Sequence, residues 1–262
     1  MEDFNVFDCF AKDVQNRLTK YDQNWLCLIV GETGSGKSVS SLSLANRLSS
    51  RGFDCKIHLA FSPEELIQKI NADDIKKGDI LIFEEASVNM NSKKWYSEEN
   101  LLLNWLIDTF RDMNIGIIFN LPKTNNLDKS AREMFHYQME TVKIHRKENL
   151  CEIKVLKNEF NNHYNKMFRK IPQFITPTGE ILYMPKILVP LPPKKILNEY
   201  KQLSKEFKQE LRQKIEKKLK ESRKEVKKKG CIKCGSSDIR YYKTEQVWTC
   251  RKCGHNHLSN PF

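Results

Sequence analysis

The segment Gly31-Glu-Thr-Gly-Ser-Gly36-Lys37-Ser38 reads G-x-x-x-x-G-K-[ST], and it limits the fold of this chain more tightly than any other stretch. Its flanks decide its meaning. Ahead of it, Trp25-Leu-Cys-Leu-Ile-Val30 is a short apolar run of strand formers. Behind it, Leu42, Ala45 and Leu48 recur at the spacing of one helix face. A strand, a glycine loop and a helix start form a phosphate cradle, because successive backbone N–H groups and the helix dipole both favour an anion there. The nucleotide is expected along Gly31, Glu32, Thr33, Gly34, Ser35, Gly36, Lys37, Ser38 and Val39. Lys37 would reach the β/γ-phosphates, and the Ser38 hydroxyl would ligate Mg²⁺.

A second stretch answers the first. In Gly78-Asp-Ile-Leu-Ile-Phe-Glu84-Glu85 four apolar residues in a row suit a strand buried on both faces of a parallel sheet. Two carboxylates at its end would be costly to bury without partners, and Mg²⁺ with its waters supplies one. In hydrolases with paired acids at this strand end, the first holds the metal's water shell and the second orients the attacking water. Glu84 and Glu85 are expected in those roles, with Glu84 standing where Asp is usual. Ile115-Gly-Ile-Ile-Phe-Asn120 reads as another buried strand. Its terminal Asn120 is either a sensor of the γ-phosphate or an amide turning the chain toward Pro122. Asp128 is a natural N-cap, which places Arg132 one turn into a helix. Arg132, with Arg111 as a weaker candidate, is either a finger for an adjacent subunit's nucleotide or half of a surface ion pair.

The remaining elements follow from local pattern. Val6, Phe10, Val14 and Leu18 make residues 4–20 an amphipathic helix, and Gly52 is placed to end the helix after the glycine loop. Residues 55–60 read as a strand. Ser62-Pro63-Glu64-Glu65 caps a helix running to about Asn71. Residues 98–112 carry an apolar face (Leu101, Leu102, Trp105, Leu106, Thr109, Phe110), and 138–157 alternate as a half-exposed hairpin or edge strands.

Charge divides the chain. Residues 194–229 hold 15 Lys/Arg against six Glu, a net +9 of the chain's +12, so the nucleotide-binding part is close to neutral. There Ile196, Tyr200, Leu203, Phe207, Leu211, Ile215 and Leu219 form one narrow stripe on a basic helix. Such a helix either docks or pairs near a polyanion or simply spaces two domains. Six of the nine prolines lie between Pro172 and Pro193, marking a hairpin and a stiff connector. The expected organisation is 1–170 for the nucleotide domain, 171–195 for the Pro-rich linker, 196–229 for the basic helix and 230–262 for a small cysteine module.

That module pairs Cys231-x₂-Cys234-Gly with Cys250-x₂-Cys253-Gly across 15 residues. The spacing brings four thiolates to a tetrahedral Zn²⁺, and strand-like runs between the knuckles make it similar to a zinc ribbon. About 30 residues bury too little surface to fold alone, so the metal would supply the stability, on the order of 10 kcal/mol. Arg240, Tyr241, Tyr242, Lys243, Trp248, Arg251 and Lys252 suit either nucleic acid or a protein surface. Cys9, Cys27, Cys55 and Cys151 read as small buried hydrophobes. No apolar run approaches the roughly 20 residues of a membrane span. Met1-Glu-Asp-Phe lacks the features of a secretory signal, so a cytoplasmic location is expected.

Taken together, the glycine loop, the strand ending in Glu84-Glu85, the strand ending in Asn120 and Leu127-Asp128…Arg132 resemble the FtsK–HerA division of P-loop ATPases. They most resemble its zonular occludens toxin-like group from archaea and their mobile elements, over roughly residues 20–200. Asn120 stands where Gln is frequent in larger relatives. The resemblance implies an α/β fold of the ASCE P-loop NTPase type, with a mostly parallel sheet flanked by helices. It also implies a ring-forming homo-oligomer, possibly hexameric, that binds ATP and moves or packages DNA. An ATP-switched DNA-binding adaptor and a nucleotide kinase are the alternatives. A GTPase switch is a weaker reading still, because neither Asp-x-x-Gly nor Asn-Lys-x-Asp occurs.

Overall fold

The computed structural model describes residues 6–84, 110, 112–124, 132–176, 178–228, 231–243 and 245–257, with the backbone alone for 218 and 221–228. The chain divides into two compact units, Met1–Lys201 and Gln202–Phe262.

The first unit opens with α1 (Val6–Thr19), whose Phe7, Phe10, Val14 and Leu18 recur three or four residues apart and are all buried. Next come β1 (Trp25–Val30), α2 (Lys37–Leu48), α3 (Cys55–His58), β2 (Leu59–Ala60), α4 (Pro63–Ile70), β3 (Ile80–Phe83) and β4 (Gly116–Leu121). They are followed by β5 (Tyr137–His145), β6 (Leu150–Asn161), β7 (Lys166–Lys170), β8 (Gln173–Ile175), β9 (Ile181–Tyr183) and β10 (Lys186–Pro190). Helix α5 (Lys194–Lys228) begins in this unit and continues into the second.

The main sheet runs β10-β6-β5-β1-β4-β3-β2, with β7 paired to the outer part of β6. β5, β1, β4, β3 and β2 are mutually parallel, while β6, β10 and β7 are antiparallel additions. β4 lies between β1 and β3. β1, β3 and β4 are buried along their whole lengths, as continuous apolar runs in a parallel sheet should be. One core face gathers Leu26, Leu28, Val30, Leu81, Phe83, Ile117 and Phe119 with Leu66 and Ile70 of α4. The opposite face of β1 meets α1, where the Phe10 ring lies 6.2 Å from Trp25, 5.3 Å from Tyr137 and 6.1 Å from Phe174.

Three local readings change. Residues 55–60 are a helical turn followed by a two-residue strand, because the Asp54 carboxylate caps Lys56 N at 2.8 Å and the Asp54 amide donates to His58 Nδ1 at 3.0 Å. α2 ends at Leu48 on an extended Ser49, so Gly52, with φ +85°, turns the chain after the helix rather than closing it. In the Pro-rich stretch the expected hairpin is present as β8 paired with β9, but the chain that follows it is no mere connector, since β10 hydrogen-bonds to β6 at the sheet edge. Pro190 sits at the end of that outer strand, where a missing N–H breaks no ladder. α4 matches its sequence signal: Ser62 Oγ accepts from Glu65 N at 3.2 Å, and Glu65 Oε2 accepts from Phe61 N at 2.8 Å. The expected helix over 98–112 lies, but for its end, outside the described residues.

The second unit holds the rest of α5 and a three-stranded sheet of β11 (Ile239–Tyr242), β12 (Val247–Cys250) and β13 (Asn256–His257) in that order. No helix among the described residues is long and apolar enough to cross a membrane.

Candidate functional site

β1 is the point where the sheet order turns, with β4 on one side and β5 on the other. The crevice outside the carboxyl ends of parallel strands at such a point is where α/β sheets bind ligands. The glycine loop leaves β1 there. A Cβ on Gly31 would stand 1.9 Å from Thr141 Oγ1 and 2.7 Å from Ser35 Oγ, so only glycine fits. Gly36 caps α2 with φ +92°, in the left-handed region that favours glycine. Lys37 Nζ donates to the carbonyls of Gly31 and Glu32, both at 2.7 Å, and so lies along the inside of the loop.

The loop is braced from the side by strands far away in sequence. The Thr141 hydroxyl on β5 donates to Ser35 Oγ at 2.6 Å and lies 3.3 Å from the Val30 carbonyl. Cys151 Sγ on β6 lies 3.7 Å from the Ser35 carbonyl, and Cys151 and Ile144 are what a Cβ on Gly36 would meet. Sequence reasoning missed this support. Its only signal was the alternation over 138–157.

Across the crevice, Phe83 and Phe119 are register partners, so Glu84 and Asn120 leave β3 and β4 at one level. Glu84 is only 4% exposed, and its carboxylate accepts hydrogen bonds from Ser38, Asn120 and Tyr200. Ser38 Oγ and Tyr200 OH donate to Oε1, the latter at 3.3 Å, and Asn120 Nδ2 donates to Oε2. Ser41 Oγ lies 2.6 Å from Asn120 Oδ1 and 2.9 Å from the Lys37 carbonyl. Both ends of the Asn120 amide are thus engaged by α2 and Glu84. Such a set of donors is what a buried carboxylate needs to keep its charge. Ser38 and Glu84 bring a hydroxyl and a carboxylate together beside the phosphate loop, a donor set of hard oxygens that fits Mg²⁺.

The strand order β5-β1-β4-β3-β2, with the glycine loop after β1 and an acid at the end of β3, decides the fold. This is a P-loop NTPase fold of the ASCE type. No protein-family model and no curated protein matches the chain. Among solved structures, it is similar to the N-terminal domain of zonular occludens toxin from Neisseria meningitidis, at 16% identity and a TM-score of 0.34, covering 58% of this chain and 95% of that one. It is also similar to a KaiC-like protein from the hyperthermophilic archaeon Pyrococcus horikoshii OT3, at 14% identity and a TM-score of 0.35, covering 62% of this chain and 90% of that one.

Within the P-loop fold the other expected residues fall as follows. Glu85, Arg111 and residues 125–131 lie outside the described residues. Arg132 is half-buried in a short helical stretch just ahead of β5.

In the second unit the sulfurs of Cys231, Cys234, Cys250 and Cys253 lie within 4.8 Å of one another. Cys231 and Cys253 are 3.5 Å apart, and Cys234 and Cys250 are 3.6 Å apart. Four sulfurs at about 2.3 Å from a tetrahedral Zn²⁺ would sit about 3.8 Å from each other, so the cluster fits that ion. Each knuckle closes on its glycine: Gly235 N donates to the Cys231 carbonyl at 2.7 Å and Gly254 N to the Cys250 carbonyl at 2.8 Å. Both glycines are left-handed, at φ +69° and +72°. Burial pushes the Cys250 thiol up, but the amides of Cys253 and Lys252 and the neighbouring thiols outweigh it and bring it down to about 7. At Cys253 the His255 amide draws the thiol down, but burial and the bonds to the Cys234, Cys231 and Cys250 thiols outweigh it and push it up to about 12, so thiolate is favoured at Cys250 and not at Cys253.

Proposed function

We propose that this protein is a Mg²⁺-dependent ATPase coupled to DNA, a motor of the FtsK–HerA type acting in translocation, transfer or packaging. The observation that carries the reading is the buried Glu84 carboxylate bonded to the Ser38 hydroxyl beside the phosphate loop. Ser38 and Glu84 would hold the ion, directly or through its waters. Lys37 would turn from the loop carbonyls to the β/γ-phosphates. An ion held there would supply positive charge against the transferring phosphoryl group. Asn120, held by Ser41, fixes the Glu84 carboxylate, and Glu85 is assigned to orient the attacking water. Arg132 is assigned as a finger for a neighbouring subunit in a homo-oligomeric ring.

The DNA part rests on charge and on aromatic surface. Helix α5 carries 14 Lys/Arg against six Glu, which is most of the chain's net charge of +12. The β6–β7 hairpin exposes Phe160, Tyr164 and Phe168 among Lys166, Arg169 and Lys170, and rings flanked by cations suit bases and phosphates. The cysteine cluster is assigned as a structural Zn²⁺ site of a ribbon that contacts nucleic acid or protein. A cytoplasmic location goes with this reading.

An ATP-switched adaptor with little turnover is the second reading. The bond from Tyr200, at the base of the basic helix, to Glu84 favours it, because the helix and the acid then move together. ATP turnover with and without DNA separates the two, measured for the wild type, Lys37→Ala, Glu85→Gln and Phe168→Ala/Arg169→Ala. DNA-stimulated hydrolysis that Glu85→Gln abolishes and the hairpin variant no longer accelerates supports the motor. Nucleotide binding without turnover supports the adaptor. Phosphate transfer to a nucleotide would replace both with a kinase.

A further inference from the structure

A cleft of about 340 Å³ opens directly off the glycine loop. Gly36 and Val39, at the loop and the first turn of α2, form one wall, and Ile144 and Leu150 of the β5–β6 hairpin form another. Leu191, just past β10, closes the third side, and Arg146 stands at the hairpin turn. The volume is at the low end of the range for small-molecule sites, about 300–1,000 Å³, and suits a base with its ribose rather than a larger ligand.

Two features argue that something flat and largely apolar belongs there. Ile144 and Leu191 are 36% and 48% exposed, an uncovered apolar surface facing a phosphate-binding loop. Ser40, one residue past Val39 in the same wall, is 1% exposed, and its hydroxyl has no hydrogen-bond partner among the described residues. A buried hydroxyl without a partner is costly unless a ligand supplies one.

We infer that this cleft is the base-and-ribose subsite of the nucleotide whose phosphates the glycine loop holds. The inference rests on the nucleotide reading of that loop. The phosphate chain would leave Gly36 toward Ile144, the base would lie between Val39 and Ile144 on one side and Leu191 on the other, and the Arg146 guanidinium can stack on its face. The walls are mainly apolar, with Ser40, Arg146 and Asn149 as the polar side chains among them, too few to read a base edge in full, so discrimination between bases is weak. Adenosine and guanosine triphosphates should bind within about tenfold of each other, as expected for a slot without a dedicated hydrogen-bonding edge. The walls come from β5, β6 and the end of β10, so base affinity is set by the antiparallel flank of the sheet, outside the loop itself.

The test is equilibrium binding, by calorimetry on the full chain with Mg²⁺, of ATP, GTP and inorganic tripolyphosphate. Wild type is compared with Ile144→Asn, Leu191→Asn and Lys37→Ala. The expected result is that wild type binds ATP and GTP at least tenfold more tightly than tripolyphosphate. Both Asn variants should lose most of that margin, and Leu191→Asn, at a residue with no contact to the loop described above, should bind tripolyphosphate as wild type does, which also reports that its phosphate loop is intact. Lys37→Ala should weaken all three ligands. If ATP and tripolyphosphate bind wild type equally, or if the Asn variants keep the full margin, the subsite assignment is overturned while the phosphate loop stands. If wild type binds none of the three, the nucleotide reading itself falls and takes the subsite with it.

Discussion

The hydroxyl of Tyr200 stands 3.3 Å from Oε1 of Glu84, so the first turns of the long basic helix touch the acid beside the phosphate loop. Tyr200→Phe removes that donor and leaves the ring. A hydrogen bond to a buried carboxylate contributes about 1.5–3 kcal/mol at good geometry, and at this length about 1 kcal/mol is expected. Urea unfolding should show the midpoint falling with an unchanged slope. Binding of Mg²⁺-ATP should change as well, because a donor to Oε1, the oxygen that also accepts from Ser38, is gone.

Asn120 joins Ser41 to Glu84, so its truncation removes one hydrogen bond from each of two buried groups at once. Asn120→Ala is expected to cost about 1–3 kcal/mol and to loosen the carboxylate. Under the ATPase reading, the Mg²⁺ concentration giving half-maximal turnover should rise. Turnover lost with no change in that concentration would instead place Asn120 on the phosphate.

Gly31 and Thr141 cannot both carry their side chains if the glycine is replaced. Gly31→Ala puts a methyl 1.9 Å from Thr141 Oγ1, which forces the loop or β5 to shift. Nucleotide binding should fall at least tenfold. Thr141→Ala in the same chain removes the nearest atom but leaves Ser35 Oγ, so binding should return in part. A double-mutant cycle measures this, and strict additivity would contradict the contact.

Asp79 supplies a pH signature. Burial acts to raise its pKa, but the His58 ring 3.6 Å away and hydrogen bonds from Arg51 and from the Lys76 amide together outweigh it and hold the carboxyl down at about 2. In the unfolded chain its pKa is about 3.9. A depressed acid contributes stability that is complete above the unfolded value and is lost as pH falls from about 4 through about 2. Unfolding free energy followed across that window should drop in the wild type and should drop less in Asp79→Asn. That variant should also be less stable at neutral pH, since Arg51 at 2.5 Å and His58 at 3.6 Å lose their anion.

The cysteine cluster predicts one Zn²⁺ per chain by metal analysis of the purified protein. Cys250→Ser and Cys253→Ser should each lower that content. Chelation should collapse the dispersed amide signals of residues 231–257, because a module this small depends on the ion for about 10 kcal/mol or more of its stability. Full dispersion retained after metal removal would argue against a structural zinc.

Short spacings were legible in the sequence because their chemistry is local. The glycine loop, the C-x₂-C pairs, the cap at Ser62 and the apolar period of α1 each span a few residues. What could not be read depends on partners far along the chain. Thr141 lies 106 residues from Ser35, Cys151 lies 116 from Ser35, and Tyr200 lies 116 from Glu84. No periodicity links such pairs. Tyr200 read as one apolar position in a helix stripe, and only its packing in the first unit brings its hydroxyl to an acid. Residues 55–58 looked like a strand from composition, yet a single Asp cap and a histidine ring bonded to the Asp54 amide tip them into a helical turn. The Pro-rich stretch had the composition of a connector, but alternate burial along β10 lets it finish a sheet edge instead.

Thr141 and Cys151 have a mechanical consequence. β5 and β6 grip the phosphate loop through Ser35, and β6 is also the strand on which β7 and β10 hang. A displacement of the outer hairpin or of the sheet rim therefore passes along one strand to the glycine loop, so the shape of that loop is tied to the antiparallel flank of the sheet.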